Sequence, residues 1–267
     1  MKMANTRKPG PIRALTAAVL GGVLLNAAGL LGPNGVVAQP AQVAASGFRA
    51  ESGDILVRPV QQMSVVIETP GGVIYTDPTG GADRYAAHPR PDLILISHEH
   101  DEHYDARTLE ELVGPGTRIV VPPYIMERLP RSLRGNAIPL ANGTGSELAA
   151  MRVEAIPAYG LGGEAARWHP RGRGNAYVVT VDGRRLYIGG STEGVPEMLE
   201  LRGIDIAFLP LYPPYALGPE EAARVASVMR PKSIYIYQYD SLRSRDEFAR
   251  RIGGLERPPR VVAPDIP

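Results

Sequence analysis

Three of the chain's five histidines fall within six residues, in the run Ser97-His98-Glu99-His100-Asp101-Glu102-His103-Tyr104-Asp105. They follow Leu93-Ile94-Leu95-Ile96, an apolar run that reads as a strand buried in a parallel sheet. A helix is expected from about Asp105, which can cap it, with Glu110 and Glu111 following. The histidines therefore occupy the turn at the carboxyl end of a strand, where open α/β sheets place their sites. In a tight turn His98 and His100 can point to one side, while Glu102 and His103 reach a second point nearby. Neutral imidazole with carboxylate is a ligand set for zinc, iron or manganese. The chain has no cysteine, so any metal must be held by His, carboxylate or other oxygen ligands. Cys-ligated zinc, iron–sulfur clusters, cysteine nucleophiles and disulfide scaffolds are excluded together.

Residues 1–38 read differently from the rest. They carry Lys2, Arg7, Lys8 and Arg13, no acid, an apolar stretch from Ala14 to Leu31, and a small-residue exit at Val36-Val37-Ala38. This is the pattern of a secretory signal peptide cut after Ala38, the alternative being an uncleaved membrane anchor. Export to the periplasm or outside the cell is expected, with membrane contact only through that segment. Removing it leaves 25 basic against 28 acidic residues. Such a balance excludes nucleic-acid binding driven by bulk charge. Residues 39–50 read as a linker and 51–267 as one domain, long enough to bury a core.

Within that domain ten strand-like runs recur, among them Asp54–Val60, Val73–Thr76, Arg118–Val121, Ala176–Val181, Arg184–Ile188, Ile206–Leu211 and Ser233–Tyr237. Helices are expected at Asp105–Val113, Pro123–Leu129, Val195–Leu201, Pro219–Met229 and Arg245–Ile252. Hairpins come first and strand–helix alternation second, and this order occurs twice. It predicts two sheets with helices outside them. Leu161–Asn175, rich in Gly and Arg, reads as a long surface loop.

The run His98-x-His100-x-Glu102-His103 after a buried strand resembles the His-x-His-x-Asp-His signature of the metallo-β-lactamase-fold hydrolases. Other stretches resemble that family in order: Ile74-Tyr75-Thr76-Asp77-Pro78, Pro157-Ala158-Tyr159, Trp168-His169-Pro170-Arg171-Gly172, Tyr187-Ile188-Gly189-Gly190-Ser191 and Ile234-Tyr235-Ile236-Tyr237-Gln238. The nearer likeness is to the branch with N-acyl phosphatidylethanolamine phospholipase D and ascorbate-6-phosphate lactonase-like proteins. The resemblance implies a four-layer αββα sandwich and a metal site for hydrolysis of a small-molecule substrate. It implies metal binding by His98, His100 and His103, with Asp77 orienting the loop.

The departures from the family pattern fall on its metal ligands. Glu102 replaces the signature Asp, Tyr159 stands where many members carry a downstream His, Ser191 replaces the bridging Asp, and Gln238 replaces the final His. A hydroxyl and an amide are poor ligands beside carboxylate and imidazole, so one ion is expected rather than two. Zinc is expected, with manganese or iron as alternatives. Its third ligand would come from His103, Glu102, Tyr159 or His169, the last read more simply as a loop histidine at the rim or behind the ligands. The expected activity is an exported hydrolase that uses metal-activated water, with Glu102 as ligand or general base, on an ester, lactone or phosphodiester. The alternative is a catalytically degenerate member that binds or scaffolds in the cell envelope. Tyr159, Ser191 and Gln238 are expected around the ligands or against the substrate.

Overall fold

A computed structural model describes residues 45–266. The expected signal segment lies outside these residues. In the first sheet, strands β1 (Ser46–Arg49), β2 (Asp54–Pro59), β3 (Val65–Thr69) and β4 (Gly72–Thr76) run antiparallel. β5 (Leu93–Leu95), β6 (Arg118–Val121) and β7 (Ala137–Pro139) then add in parallel. The second sheet begins with antiparallel β8 (Gly145–Leu148), β9 (Met151–Ala158), β10 (Gly174–Val181) and β11 (Arg184–Ile188). Parallel β12 (Ile206–Leu211), β13 (Ser233–Tyr239) and β14 (Arg260–Val262) complete it. Strands follow one another in space as they do in sequence within each sheet. The β10–β11 hairpin turns on Asp182-Gly183, with φ of 46° and 68°. Those left-handed angles suit an Asp-Gly pair in a two-residue hairpin loop.

The two-residue alternation of strands sorts the first sheet into two faces. Val65, Ile67, Ile74, Leu93, Leu95 and Val120 point into one apolar cluster shared with the second sheet. Their neighbours Val66, Tyr75, Ile94, Ile119 and Val121 point the other way, beneath Leu109 of α1 (Ala106–Leu112) and Ile125 of α2 (Pro123–Met126). On the second sheet, α5 (Pro219–Met229) buries Ala222, Val225, Ala226 and Met229, a spacing that puts all four on one helix face. α6 (Leu242–Gly253) buries Phe248 and Ile252 beside it. The two mixed sheets thus pack face to face with helices on their outer sides.

Three differences from the sequence reading have local causes. The linker expected over 39–50 contains β1, which is held by pairing with β2 and not by its own four residues. The surface loop expected over Leu161–Asn175 contains α3 (Gly163–Trp168) and the first residues of β10. α3 packs so closely on the chain leaving β9 that a Cβ at Gly160 would lie 2.1 Å from the Ala165 carbonyl carbon. Only glycine permits that approach, and the helix it docks was not legible from periodicity. β7, β8 and β14 are three- or four-residue strands whose partners supply the order. Among the described residues no helix is long and apolar enough to cross a membrane; α4 (Pro196–Leu199) is a single turn.

Candidate metal centre

β4 ends at Thr76, and the next residue, Asp77, is buried at φ 40°. Asp and Asn tolerate this region better than other side-chain-bearing residues. Asp77 accepts three hydrogen bonds: from the Ser97 backbone N–H at 2.7 Å, the Ser97 hydroxyl at 2.6 Å, and His103 Nδ1 at 2.7 Å. The Ser97 hydroxyl has one proton, and Asp77 takes it. Its oxygen therefore accepts from His98 Nδ1, 2.9 Å away. The network assigns the tautomers: His98 and His103 are protonated on Nδ1, and each presents an unprotonated Nε2. His103 Nε2 faces the Ser191 hydroxyl at 3.3 Å. His98 Nε2 is buried and has no partner. Asp77 therefore touches the backbone and side chain of Ser97 and the ring of His103 at once.

The turn after His98 is tight, since the backbone N–H groups of His103 and Tyr104 both donate to the His100 carbonyl. It sends His103 inward, leaves Asp101 and Glu102 exposed, and holds His100 half-buried at the surface of the cluster. The third histidine comes from the other sheet. α3 ends at His169, whose backbone carbonyl accepts from Gly160 N–H at 2.9 Å. Ligand nitrogens of His98, His100 and His169 all lie within 4.8 Å of one another. Ring centroids of His169 stand 5.0 Å from His98 and 4.9 Å from His100.

These imidazoles are poised to be neutral. Burial holds the His98 pKa well below its ordinary value, helped by the neighbouring rings of His103, His169 and His100. Burial likewise lowers His100, against the pull of Glu99 and Glu102. His169 is pushed down to about 4, first by burial and then by His100 and His103. Neutral imidazole is the form that binds metal. His98 Nε2 and His169 Nδ1 are both buried without partners, an arrangement that otherwise costs about 1–3 kcal/mol per group. A cavity of about 10 Å³, room for one water-sized sphere, lies against His98, His169 and Ser191. The three imidazoles are placed so that they could hold a metal.

The other expected site residues divide. Ser191 and Gln238 are buried and line the cleft above the histidines. Gly190, at φ 60°, allows that approach, since a Cβ there would lie 2.9 Å from Ser97 Cβ. Glu102 lines the same cleft but is exposed and stands outside the histidine cluster. Tyr159 is buried with its hydroxyl donating to Glu197 Oε2 at 3.0 Å, and Arg171 caps that pair with a 2.6 Å bond to Glu197 Oε1. His103 is committed to Asp77 on one side and Ser191 on the other.

Sequence reasoning gave no role to Ser97, Trp168, Tyr212 or Tyr215. The last three line a cleft of about 430 Å³ that opens over His100 and His169. Trp168 precedes a candidate ligand, and Tyr212 directly follows β12; both positions carried a signal, since strand ends converge on this edge of the sheets. Glu99 and Arg173 form an ion pair beside the small cavity, with the Arg173 guanidinium 4.3 Å over the Tyr124 ring.

Residues 57–237 match the family model for the beta-lactamase superfamily domain. A protein of Thermococcus onnurineus named as a UPF0173 metal-dependent hydrolase is 27% identical over 170 residues, covering 61% of this chain and 75% of that protein. One of the same description from Bacillus thuringiensis is 29% identical over 188 residues, covering 66% and 82%. The solved structure of a proposed metal-dependent hydrolase from Parabacteroides distasonis superposes with a TM-score of 0.74 at 29% identity, covering 84% of this chain and all of that one.

Proposed function

From the premise that this chain belongs to the metallo-β-lactamase superfamily, we propose that it is a metal-dependent hydrolase centred on His98, His100 and His169. The observation that carries this reading is the pair of buried, unpartnered nitrogens, His98 Nε2 and His169 Nδ1, beneath an open cleft. A bound ion would supply Lewis acidity toward a carbonyl or phosphoryl oxygen and would acidify water at neutral pH. The chain's own groups do the rest. Asp77 and Ser97 hold His98 in the tautomer that presents Nε2. Ser191 keeps the His103 lone pair occupied. Glu102 stands exposed at the rim, where its carboxylate can take a proton from incoming water.

One ion is proposed in preference to two, because the further positions near the cluster carry neutral Ser191 and Gln238. Zinc suits three imidazoles best, with manganese and iron as alternatives. The substrate is a small molecule with an ester, lactone or phosphodiester bond. Residues 1–38 support export, so the site would act in the periplasm or outside the cell. A catalytically degenerate binding protein is the second reading, favoured by the same Ser191 and Gln238.

Elemental analysis of the untagged full-length chain, beside the His169→Ala variant, tests the proposal. About one ion per wild-type chain, lost in the variant, with ester or phosphodiester turnover, is the expected result. No metal after zinc or manganese is added back would overturn it and leave the degenerate reading standing. Two ions per chain would overturn the mononuclear site alone.

A further inference from the structure

We propose that the cleft selects substrates bearing a flat apolar group and no negative charge beside the bond to be cleaved. The inference rests on the hydrolase reading for its chemistry, though not for its binding step. Three large rings stand in solvent along one wall: Trp168 is 46% exposed, and Tyr212 and Tyr215 are each 38% exposed. They form a continuous strip. Trp168 meets His100 edge-on at 5.8 Å between centroids, Tyr215 meets Trp168 at 6.4 Å, and Tyr212 meets Tyr215 at 6.1 Å. The strip therefore begins at a candidate ligand and runs outward. Exposed ring faces bind flat apolar groups by area and attract positive charge through their quadrupoles.

The charges of the cleft point the same way. Asp101 and Glu102 line it, exposed, and neither makes an ion pair among the described residues. Among the described residues no Lys or Arg lines it. The nearby guanidiniums are already paired: Arg173 is held by Glu99, and Arg167, 5.8 Å over the Trp168 ring, is paired with Glu164. An anionic substrate would meet like charge with no arginine fork to receive it. A third feature is Gln238, which lines the cleft, is nine-tenths buried, and leaves Oε1 buried without a partner. An N–H or O–H donor on the substrate would satisfy it. Of the three bond classes proposed above, this favours the ester and the lactone over the phosphodiester.

Trp168 is the chain's single tryptophan, so its fluorescence reads this wall directly, with or without metal. Metal-free full-length protein is titrated with benzyltrimethylammonium, benzamide and phenyl phosphate, which share one ring and differ in charge. Saturable quenching by the first two, at least tenfold tighter than by phenyl phosphate, is expected. Tyr215→Ala and Tyr212→Ala, each at an exposed position, should weaken the first two about fivefold. Asp101→Asn combined with Glu102→Gln should narrow the gap to phenyl phosphate. Equal or tighter binding of phenyl phosphate to the metal-free wild type, or quenching unmoved by either tyrosine variant, would overturn the inference. A zinc-loaded sample that binds benzamide but cleaves neither phenyl acetate nor methyl phenyl phosphate would overturn the hydrolase reading and leave the cleft selectivity intact. Cleavage of methyl phenyl phosphate in preference to phenyl acetate would overturn the selectivity and leave the hydrolase reading intact.

Discussion

Asp77→Asn is the substitution that separates geometry from charge at this site. The amide keeps the size of the carboxylate and tolerates the φ of 40°. Its oxygen can still accept from the Ser97 N–H. The nitrogen must then face the Ser97 hydroxyl and His103 Nδ1, both of which now donate to Asp77. Two charge-assisted bonds become neutral ones, at a loss of about 1 kcal/mol each. The expected destabilisation is about 2 kcal/mol, or about 4–8 °C in Tm for a unit of this size. His103 must also accept at Nδ1, which moves its proton to Nε2 and turns the bond with Ser191 around. Urea unfolding measures the first effect, and the nitrogen-15 shifts of His103 measure the second. Asp77→Ala leaves three buried donors without a partner and adds the cost of a left-handed alanine, a total of about 5 kcal/mol or more. That approaches the whole stability of an ordinary domain, so the variant should fail to accumulate in folded form. An Asn variant that unfolds at the wild-type urea concentration, with His103 still protonated on Nδ1, would refute the network drawn here.

Three further outcomes follow from the same geometry. Gly160→Ala should push α3 off the β9 exit, because the new Cβ would meet Ala165 at 2.1 Å; zinc affinity should fall at least tenfold, read by competition with a chelating dye, and unchanged affinity would show that α3 does not position His169. Tyr159→Phe removes a bond to Glu197 and should cost about 1 kcal/mol in urea unfolding while leaving zinc affinity within twofold; a large loss of zinc would make Tyr159 a ligand. The metal-free protein should lose stability as pH falls from about 6.5 to about 4. In that window unfolded His169 takes up a proton and the folded residue, at about 4, does not, so the unfolded state gains by at most about 3 kcal/mol. His98 and His100 shift the same way. A His169→Gln variant whose unfolding midpoint varies with pH as steeply as wild type would contradict this.

Much of the fold was legible because strand and helix signals here agree with tertiary demand. Ile206–Leu211 and Pro219–Met229 match their expected bounds residue for residue. Asp105 caps α1 as expected, accepting from the backbone N–H groups of Arg107 and Thr108. The strand–turn–helix around the three clustered histidines was equally readable. What sequence could not decide was which third group joins His98 and His100. Four residues were open to that role, and their chemistry alone did not rank them. The structure places them differently: a turn closing on the His100 carbonyl puts Glu102 outside and His103 inside, Glu197 draws off the Tyr159 hydroxyl, and the absent side chain at Gly160 lets α3 bring His169 beside His98 and His100. Each depends on groups distant in sequence. The aromatic wall was hidden for the same reason, since Trp168 and Tyr215 meet only after the strand ends converge.

The sequential strand order within each sheet has a mechanical consequence for the metal. β1–β7 and β8–β14 follow one plan, four antiparallel strands and then three parallel ones, so the molecule consists of two like halves in tandem. His98 and His100 hang from the first half, and His169 hangs from the second. An ion held by all three is therefore a clasp across the seam. Its binding energy would oppose separation of the halves, adding to the apolar core that the two sheets already share.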